Sequence, residues 1–378
     1  MSAPVRLVVV NEHGGGKGAP TGDLVADFLV DWTSSGGTSR FISESARYVP
    51  GALRLGRILN QLRLGIRVFA LLLLERITTW ITGKNLVVIS TTSPPLFHIP
   101  LILFAKCIGA LPILWLMDAH PENEVRLIQK SKKNLLLVPI LRTIDTVVTK
   151  MCMGVIALDG AMSASLLTRT GYRGPVIVAN PWVTFRVPAK LIRTPLFNGR
   201  RANLIYAGNY GFVHDLSPLA NALRSGVLSP DSIKITFVGM SSHAATALSK
   251  LFNIPGLVVS FLERRKEFKE LEAFFEDSDL GLVSLNEYME GVACPSKAYT
   301  YISCGLPILY IGPNSSLSSE ICKSGYGITL EQAIQFPIPE WSNFTSKAGT
   351  TFEDPRSENI NKMIDFVVRI GAGFGSDR

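Results

Sequence analysis

Glu290-Gly-Val-Ala-Cys-Pro-Ser-Lys-Ala-Tyr-Thr-Tyr-Ile-Ser-Cys-Gly-Leu-Pro307 decides how this chain is read. The apolar run before it, Leu280-Gly-Leu-Val-Ser-Leu285, has the length and content of a buried strand, and Ile308-Leu-Tyr-Ile311 after it reads as another. Between them Pro295 or Ser296 suits a helix start, Gly305 suits its end, and Pro307 prevents continuation. The unit is therefore strand, loop, helix, strand. The first amides of a helix have no intrahelical acceptor and favour an anion, and Lys297 adds a compact positive charge. A plain cap and a surface lysine in a packed β-α-β unit would look the same, and spacing alone does not separate the two readings.

Working outward, Asn203-Leu-Ile-Tyr-Ala207 is a strand that opens into Gly208-Asn-Tyr-Gly211, with a helix from about Ser217. The same entrance occurs at the start of the chain. There Val5 to Val10 leads through Asn11-Glu-His-Gly-Gly-Gly-Lys-Gly-Ala-Pro20 to a helix capped by Thr21. The glycines do not follow G-x-G-x-x-G and no acidic residue stands at ribose distance, which excludes NAD and FAD as cofactors. The loop holding Gly14, Gly15 and Gly16 either approaches a ligand with its amides or is a surface turn. Two strand–glycine–helix entrances in one chain predict an α/β protein with two Rossmann-like domains facing a cleft. Boundaries follow from composition: an N-terminal domain over 1–183 and a proline-rich, aperiodic linker over 184–202. A second domain covers 203–350, and a terminal segment at 351–378 ends in a helix returning toward the first domain.

The 378 residues are too many for one ordinary core. Apolar residues make up 47% and charged residues 18%, which excludes a disordered chain. Lys and Arg number 38 against 30 Asp and Glu, so an anionic partner is expected. Nucleic acid is not that partner, because the basic residues are scattered and the aromatics sit in apolar runs. Five scattered cysteines form no metal spacing and read as reduced thiols, and Met1 to Val10 has no signal-peptide layout. A cytoplasmic location is expected.

Leu96 to Met117 is apolar enough to suggest a membrane span. Pro94 and Pro95 before it, Gly109 within it, and Pro112-Ile-Leu-Trp-Leu-Met117 at its end predict instead a helix and a central strand. That strand delivers Asp118, His120 and Glu122 to the edge where open α/β sheets bind ligands. The competing reading makes Asp118 a helix cap and His120 a solvated loop residue. Gly51 to Thr82 predicts one or two helices, apolar at Leu64, Val68, Leu71, Leu72 and Trp80 with Arg and Glu interleaved. Glu124 to Val148 reads as one basic amphipathic stretch, either a solvated face or a peripheral membrane face.

Tyr206-Ala-Gly-Asn-Tyr-Gly211, followed by Gly291-x-x-x-Pro-Ser-Lys297 and Gly305-x-Pro307, resembles the retaining GT-B transferases of glycosyltransferase family 4. Bacterial members that build surface polysaccharides are the nearer likeness. Ser90-Thr-Thr-Ser-Pro-Pro95, Trp115-Leu-Met-Asp118 with Pro121-Glu122, and Asn180-Pro-Trp182 match their first domain. The resemblance implies metal-independent transfer of a sugar from a nucleotide diphosphate, UDP above all, with retention and without a cofactor. It implies a donor site of Gly208, Asn209, Gly211, Arg264, Arg265, Gly291, Pro295, Ser296, Lys297 and Thr300. Lys297, Asp118 and His120 would serve the reaction. Gly14, Gly15, Gly16 and Glu122 would lie on the acceptor side, facing a saccharide on a polyprenyl diphosphate at the anionic inner face of the cell membrane. Two positions depart from the family pattern: Val292 and Thr300 stand where paired glutamates are usual, and Phe212-Val-His-Asp215 supplies no basic side chain of the expected kind. These departures keep open a catalytically silent partner that binds sugar nucleotide or glycan, and a GT-B epimerase is a further alternative.

Overall fold

The computed structural model describes residues 5–13, 20–44, 54–183, 200–262, 268–345 and 356–373. The chain divides into two compact units. One comprises Met1–Thr184, Gly291–Cys294 and Pro355–Arg378; the other comprises Phe185–Glu290 and Pro295–Asp354. Of the expected linker, 184–199 lies outside the described residues.

The first unit runs β1 (Val5–His13), α1 (Pro20–Ser34), β2 (Thr38–Glu44), α2 (Arg54–Thr82), β3 (Asn85–Thr91), α3 (His98–Cys107) and β4 (Leu111–Leu116). It continues with α4 (Glu122–Ser131), α5 (Leu137–Met151), β5 (Gly154–Ala157), α6 (Gly160–Thr170) and β6 (Val176–Val178). Its six strands are parallel in the order β2-β1-β3-β4-β5-β6. β1, β3 and β4 are buried along almost their whole length, as strands covered on both faces must be.

The second unit runs β7 (Ala202–Ala207), α7 (Ser217–Arg224), β8 (Ile233–Val238), α8 (Ser242–Leu251), β9 (Val258–Leu262) and α9 (Phe268–Glu276). Then come β10 (Leu280–Ser284), α10 (Lys297–Ser303), β11 (Ile308–Ile311), α11 (Ser316–Lys323), β12 (Gly327–Thr329) and α12 (Leu330–Ala333). This sheet is also six-stranded and parallel, in the order β12-β11-β10-β7-β8-β9. The α/β reading with two Rossmann-like units is thus realised.

The last helix, α13 (Arg356–Ala372), packs on β1, β3 and β6 of the first unit. Two glycines make room for it. The position a Cβ would take on Gly154 is filled by Ile370 and Phe366, and that on Gly371 by Val5. Asp27 accepts from Arg356 Nε at 2.7 Å and from Trp182 Nε1 at 2.7 Å, which ties α13 and the end of β6 to α1.

Three sequence expectations need correction. Glu124 to Val148 is two helices, because Lys132 and Asn134 take left-handed backbone (φ 55° each) and break it. Trp80 does not join Leu64, Val68 and Leu72 in the core; it is 79% exposed. Leu96 to Met117 is a helix followed by a strand as expected, but the helix begins at His98 rather than at the prolines. Among the described residues, no helix is long and apolar enough to cross a membrane.

Candidate functional site

In the second unit β7 and β10 lie side by side while their onward connections depart in opposite directions, to β8 and to β11. Such a divergence leaves a crevice at the carboxyl ends of the two strands, where open α/β sheets bind ligands. The loop from Gly208 leaves β7 there, and Lys297 is the first residue of the helix that follows β10. Gly208 has φ +104°, and a Cβ built on it would stand 3.2 Å from Lys297 Cε. Only glycine therefore allows both the loop's path and the lysine's approach. Lys297 Nζ donates to the Asn209 carbonyl at 3.2 Å, lies 3.4 Å from His214 Nε2, and sits 4.7 Å from the centre of the Tyr206 ring.

His214 is the residue that sequence reading missed. Its Nδ1 is 2.8 Å from the Ser284 carbonyl, which can only accept, so Nδ1 carries the hydrogen and Nε2 offers a lone pair to Lys297. Burial and the adjacent ammonium lower its pKa to about 4, which keeps the ring neutral. Burial also lowers Lys297, to about 8. A desolvated cation with neutral acceptors around it is poised to take an anion. Phe212-Val-His-Asp215 showed no arginine or lysine after the glycine loop, and nothing in its spacing indicates that His214 meets Lys297.

Tyr301, four residues after Lys297, fixes the helix. Its ring occupies the space over Gly281, where a Cβ would fall 2.4 Å from Cδ2. Its hydroxyl accepts from the Ala207 amide at 2.8 Å. One side chain thus registers α10 against β10 and β7 together, so Lys297 meets the Gly208 loop in a defined position. The Tyr206 hydroxyl donates to the Asn209 carbonyl at 3.1 Å and holds the loop from beneath.

The remaining donor-side candidates separate. Gly208, Asn209 and Gly211 are exposed on the loop, and the Gly211 carbonyl accepts from the His214 amide at 2.9 Å. Pro295 is buried and Thr300 is half-buried on α10. Ser296 is not the side-chain cap expected of it: its backbone is already helical (φ −54°, ψ −20°) and its hydroxyl makes no capping bond. Gly291 belongs to the first unit, where φ +67° and close approach to Ala161 and Ser165 of α6 account for a glycine. Arg264, Arg265, Gly14, Gly15 and Gly16 lie outside the described residues.

In the first unit the Thr92 hydroxyl accepts from the Met117 and Asp118 amides at 3.0 and 3.2 Å and anchors the end of β4. Asp118 pairs as an antiparallel bridge with Ala293, and the Ala119 amide donates to the Val292 carbonyl at 2.8 Å. Val292 is fully buried. His120 is buried rather than solvated, with Nδ1 2.6 Å from Glu124 Oε1, and α4 has no side-chain cap, so Asp118 does not play that part. Asp118 is exposed at the rim of a crowded recess. That crowding raises its carboxyl above the usual range, while His120 pulls it back. Beside them His98 is 1% exposed, has no partner for Nδ1 among the described residues, and is lowered to about 4 by burial and then by His120. Glu122, expected on the acceptor side, is buried against Arg126 at 3.2 Å and Arg142 at 3.8 Å. Among the described residues, no three His, Cys, Asp or Glu side chains cluster as a metal site.

Solved structures share this architecture over nearly the whole chain. Sucrose-phosphate synthase from Thermosynechococcus elongatus matches with a TM-score of 0.59 and 13% identity, over 96% of each chain. A lipopolysaccharide outer core galactosyltransferase, WaaB, matches with a TM-score of 0.54 and 12% identity, over 96% of this chain and 99% of its own. The Anabaena protein HepE, solved with UDP, matches with a TM-score of 0.53 and 13% identity, over 97% of this chain and 99% of its own. The fold is GT-B. No family model and no curated protein matches the sequence. Several of the residues that carried the family resemblance prove to be framework of the GT-B first unit. Trp115 stacks on Trp182 at 6.4 Å, the Asn180 amide group donates to the Leu158 carbonyl at 3.2 Å, and Thr92 anchors β4.

Proposed function

We propose that this protein is a glycosyltransferase of the GT-B fold that takes a sugar from a nucleotide diphosphate, UDP above all, with retention and without a metal. The observation that carries the reading is Lys297, a partly desolvated ammonium held over the Gly208–Gly211 loop at the switch point of the second sheet. As the glycosidic bond breaks, its electron pair leaves with the diphosphate. A cation in a water-poor setting stabilises that growing charge more than it stabilises the bound donor. The acceptor reading rests on the recess of His98, His120 and Asp118 in the first unit. A saccharide on a polyprenyl diphosphate is the acceptor class proposed, in surface polysaccharide synthesis at the inner face of the cell membrane. HepE with UDP and WaaB, a lipopolysaccharide galactosyltransferase, lend support as proteins of the same fold.

A silent partner that binds sugar nucleotide or glycan is the second reading. It is favoured by Val292 and Thr300, neither of which offers a carboxylate to a ribose. A thermal-shift screen against UDP, GDP, ADP and dTDP tests the site, since a ligand that binds only the folded state stabilises it by about 2.7 kcal/mol at a hundredfold excess over Kd. One nucleotide standing out, followed by sugar release into a lipid-linked acceptor, supports the transferase. Binding without transfer supports the silent partner, and no shift with any nucleotide removes the transferase and leaves a silent partner that binds glycan.

A further inference from the structure

The basic residues of this chain are scattered, but the excess of positive over negative charge is localised. Residues 54–153 hold 13 of the 38 Lys and Arg but only 5 of the 30 Asp and Glu, so the rest of the sequence is balanced at 25 of each. The structure sets four of those five acids against basic partners or into the interior. Glu75 is buried against Arg6 at 2.7 Å and Arg40 at 3.0 Å, and Glu122 against Arg126. Asp145 is buried against Arg169, and Glu124 is bound to His120. The fifth, Asp118, ends β4 at the ligand edge of the sheet, away from the helices' outer surface.

On that surface α2 packs beside α3, and α3 beside α5. Ile66, Leu73, Leu74, Ile77, Trp80 and Ile81 are all exposed on α2. Their spacing puts them on one side of the helix, in a stripe about 22 Å long that carries no acid. The turn between α4 and α5 adds Leu135, Leu136 and Leu137, with Leu136 87% exposed, beside the exposed Lys132 and Lys133. Arg63 and Arg67 flank the α2 stripe and Arg142 stands exposed on α5. Apolar side chains rimmed by cations, with the acids withdrawn, complement an anionic lipid surface: acyl chains accept the leucines and tryptophan while headgroups meet the lysines and arginines.

We infer that the outer face of α2 together with the α4–α5 turn is a docking surface for an anionic lipid bilayer. This deepens the membrane attachment proposed above and does not depend on the transfer reaction. The test is co-sedimentation of the full chain, without substrate, on phosphatidylcholine vesicles with and without phosphatidylglycerol. Binding to the mixed vesicles is expected, weaker at high salt and on phosphatidylcholine alone. Paired substitutions Ile77→Glu with Trp80→Glu, and Lys132→Glu with Lys133→Glu, should each lower it roughly tenfold or more. Both pairs are exposed, so circular dichroism and the nucleotide-induced thermal shift should stay as in the parent. Absence of vesicle binding, or binding that neither pair changes, overturns the proposal. Concentration-dependent self-association lost with Trp80→Glu, in a protein that ignores vesicles, assigns the face to a second copy instead. Nucleotide binding is read separately, so either failure leaves the transferase reading intact.

Discussion

Lys297 Nζ stands 3.4 Å from His214 Nε2, and the ring is held in its neutral form with its other nitrogen on the Ser284 carbonyl. The contact gives the ammonium an acceptor when no anion is present, without a competing carboxylate to displace. Lys297→Ala should therefore weaken UDP binding about 10- to 100-fold, the range of one hydrogen bond to a charged group, and abolish transfer. Calorimetric titration reads the first effect and product formation the second. An unchanged Kd would take Lys297 out of the site.

The lowered pKa of Lys297 has a pH signature. Its cation is half lost at about pH 8 and declines through the surrounding two units, whereas an exposed lysine is half titrated only above pH 10. UDP affinity should fall between pH 7.5 and 9.5 by about tenfold, and Lys297→Arg should flatten that limb because arginine does not titrate there.

His98 predicts the acid limb of stability. Its folded pKa, about 4, lies below the ordinary 6.5, so the unfolded chain takes up the proton first. Stability should decline as pH falls from about 6.5 toward 4, by roughly 3 kcal/mol in the limit, at about 1.36 kcal/mol per pKa unit. Urea denaturation at pH 7 and pH 4.5 measures the loss, and His98→Gln should reduce it.

Asp27 accepts from both Trp182 and Arg356. Asp27→Ala takes the acceptor from the Trp182 indole and one of two carboxylates from Arg356, which keeps Asp31 at 2.9 Å, and should cost about 1–3 kcal/mol. Hydrogen exchange should show faster opening of α13 than of the second unit, whose protection is expected to be unchanged.

Tyr301→Phe removes the acceptor for the Ala207 amide and should cost about 1–3 kcal/mol. A calorimetric scan checks that. UDP affinity should also fall, though less than in Lys297→Ala, because the lysine remains while its register loosens.

Much of this fold was legible because parallel strands buried on both faces write themselves as unbroken apolar runs: Leu280 to Ser284, Leu111 to Leu116 and Val5 to Val10 all read correctly. Lys297 and the Gly208 loop were legible for a similar reason, as local punctuation at strand ends. His214, Tyr301 and Gly281 were not. Their roles are set by contacts across three crossovers, and a histidine facing a lysine 83 residues away leaves no periodic trace. Trp80 misled in the opposite way: its hydrophobicity suggests the core, whereas its helical spacing from Leu64 and Val68 turns it to the exposed side of α2.

Tyr301 also divides α10 by tolerance to change. Its ring and hydroxyl fasten one side of the helix to two strands, so substitutions there move the lysine. Ser296 and Thr300 carry no such fastening. In the donor site proposed above, variation at those two positions should retune which nucleotide base or ribose is accepted while Lys297 stays in place. On that proposal the helix separates a constant part from an adjustable one, and randomising Ser296 and Thr300 alone should shift donor preference without loss of stability.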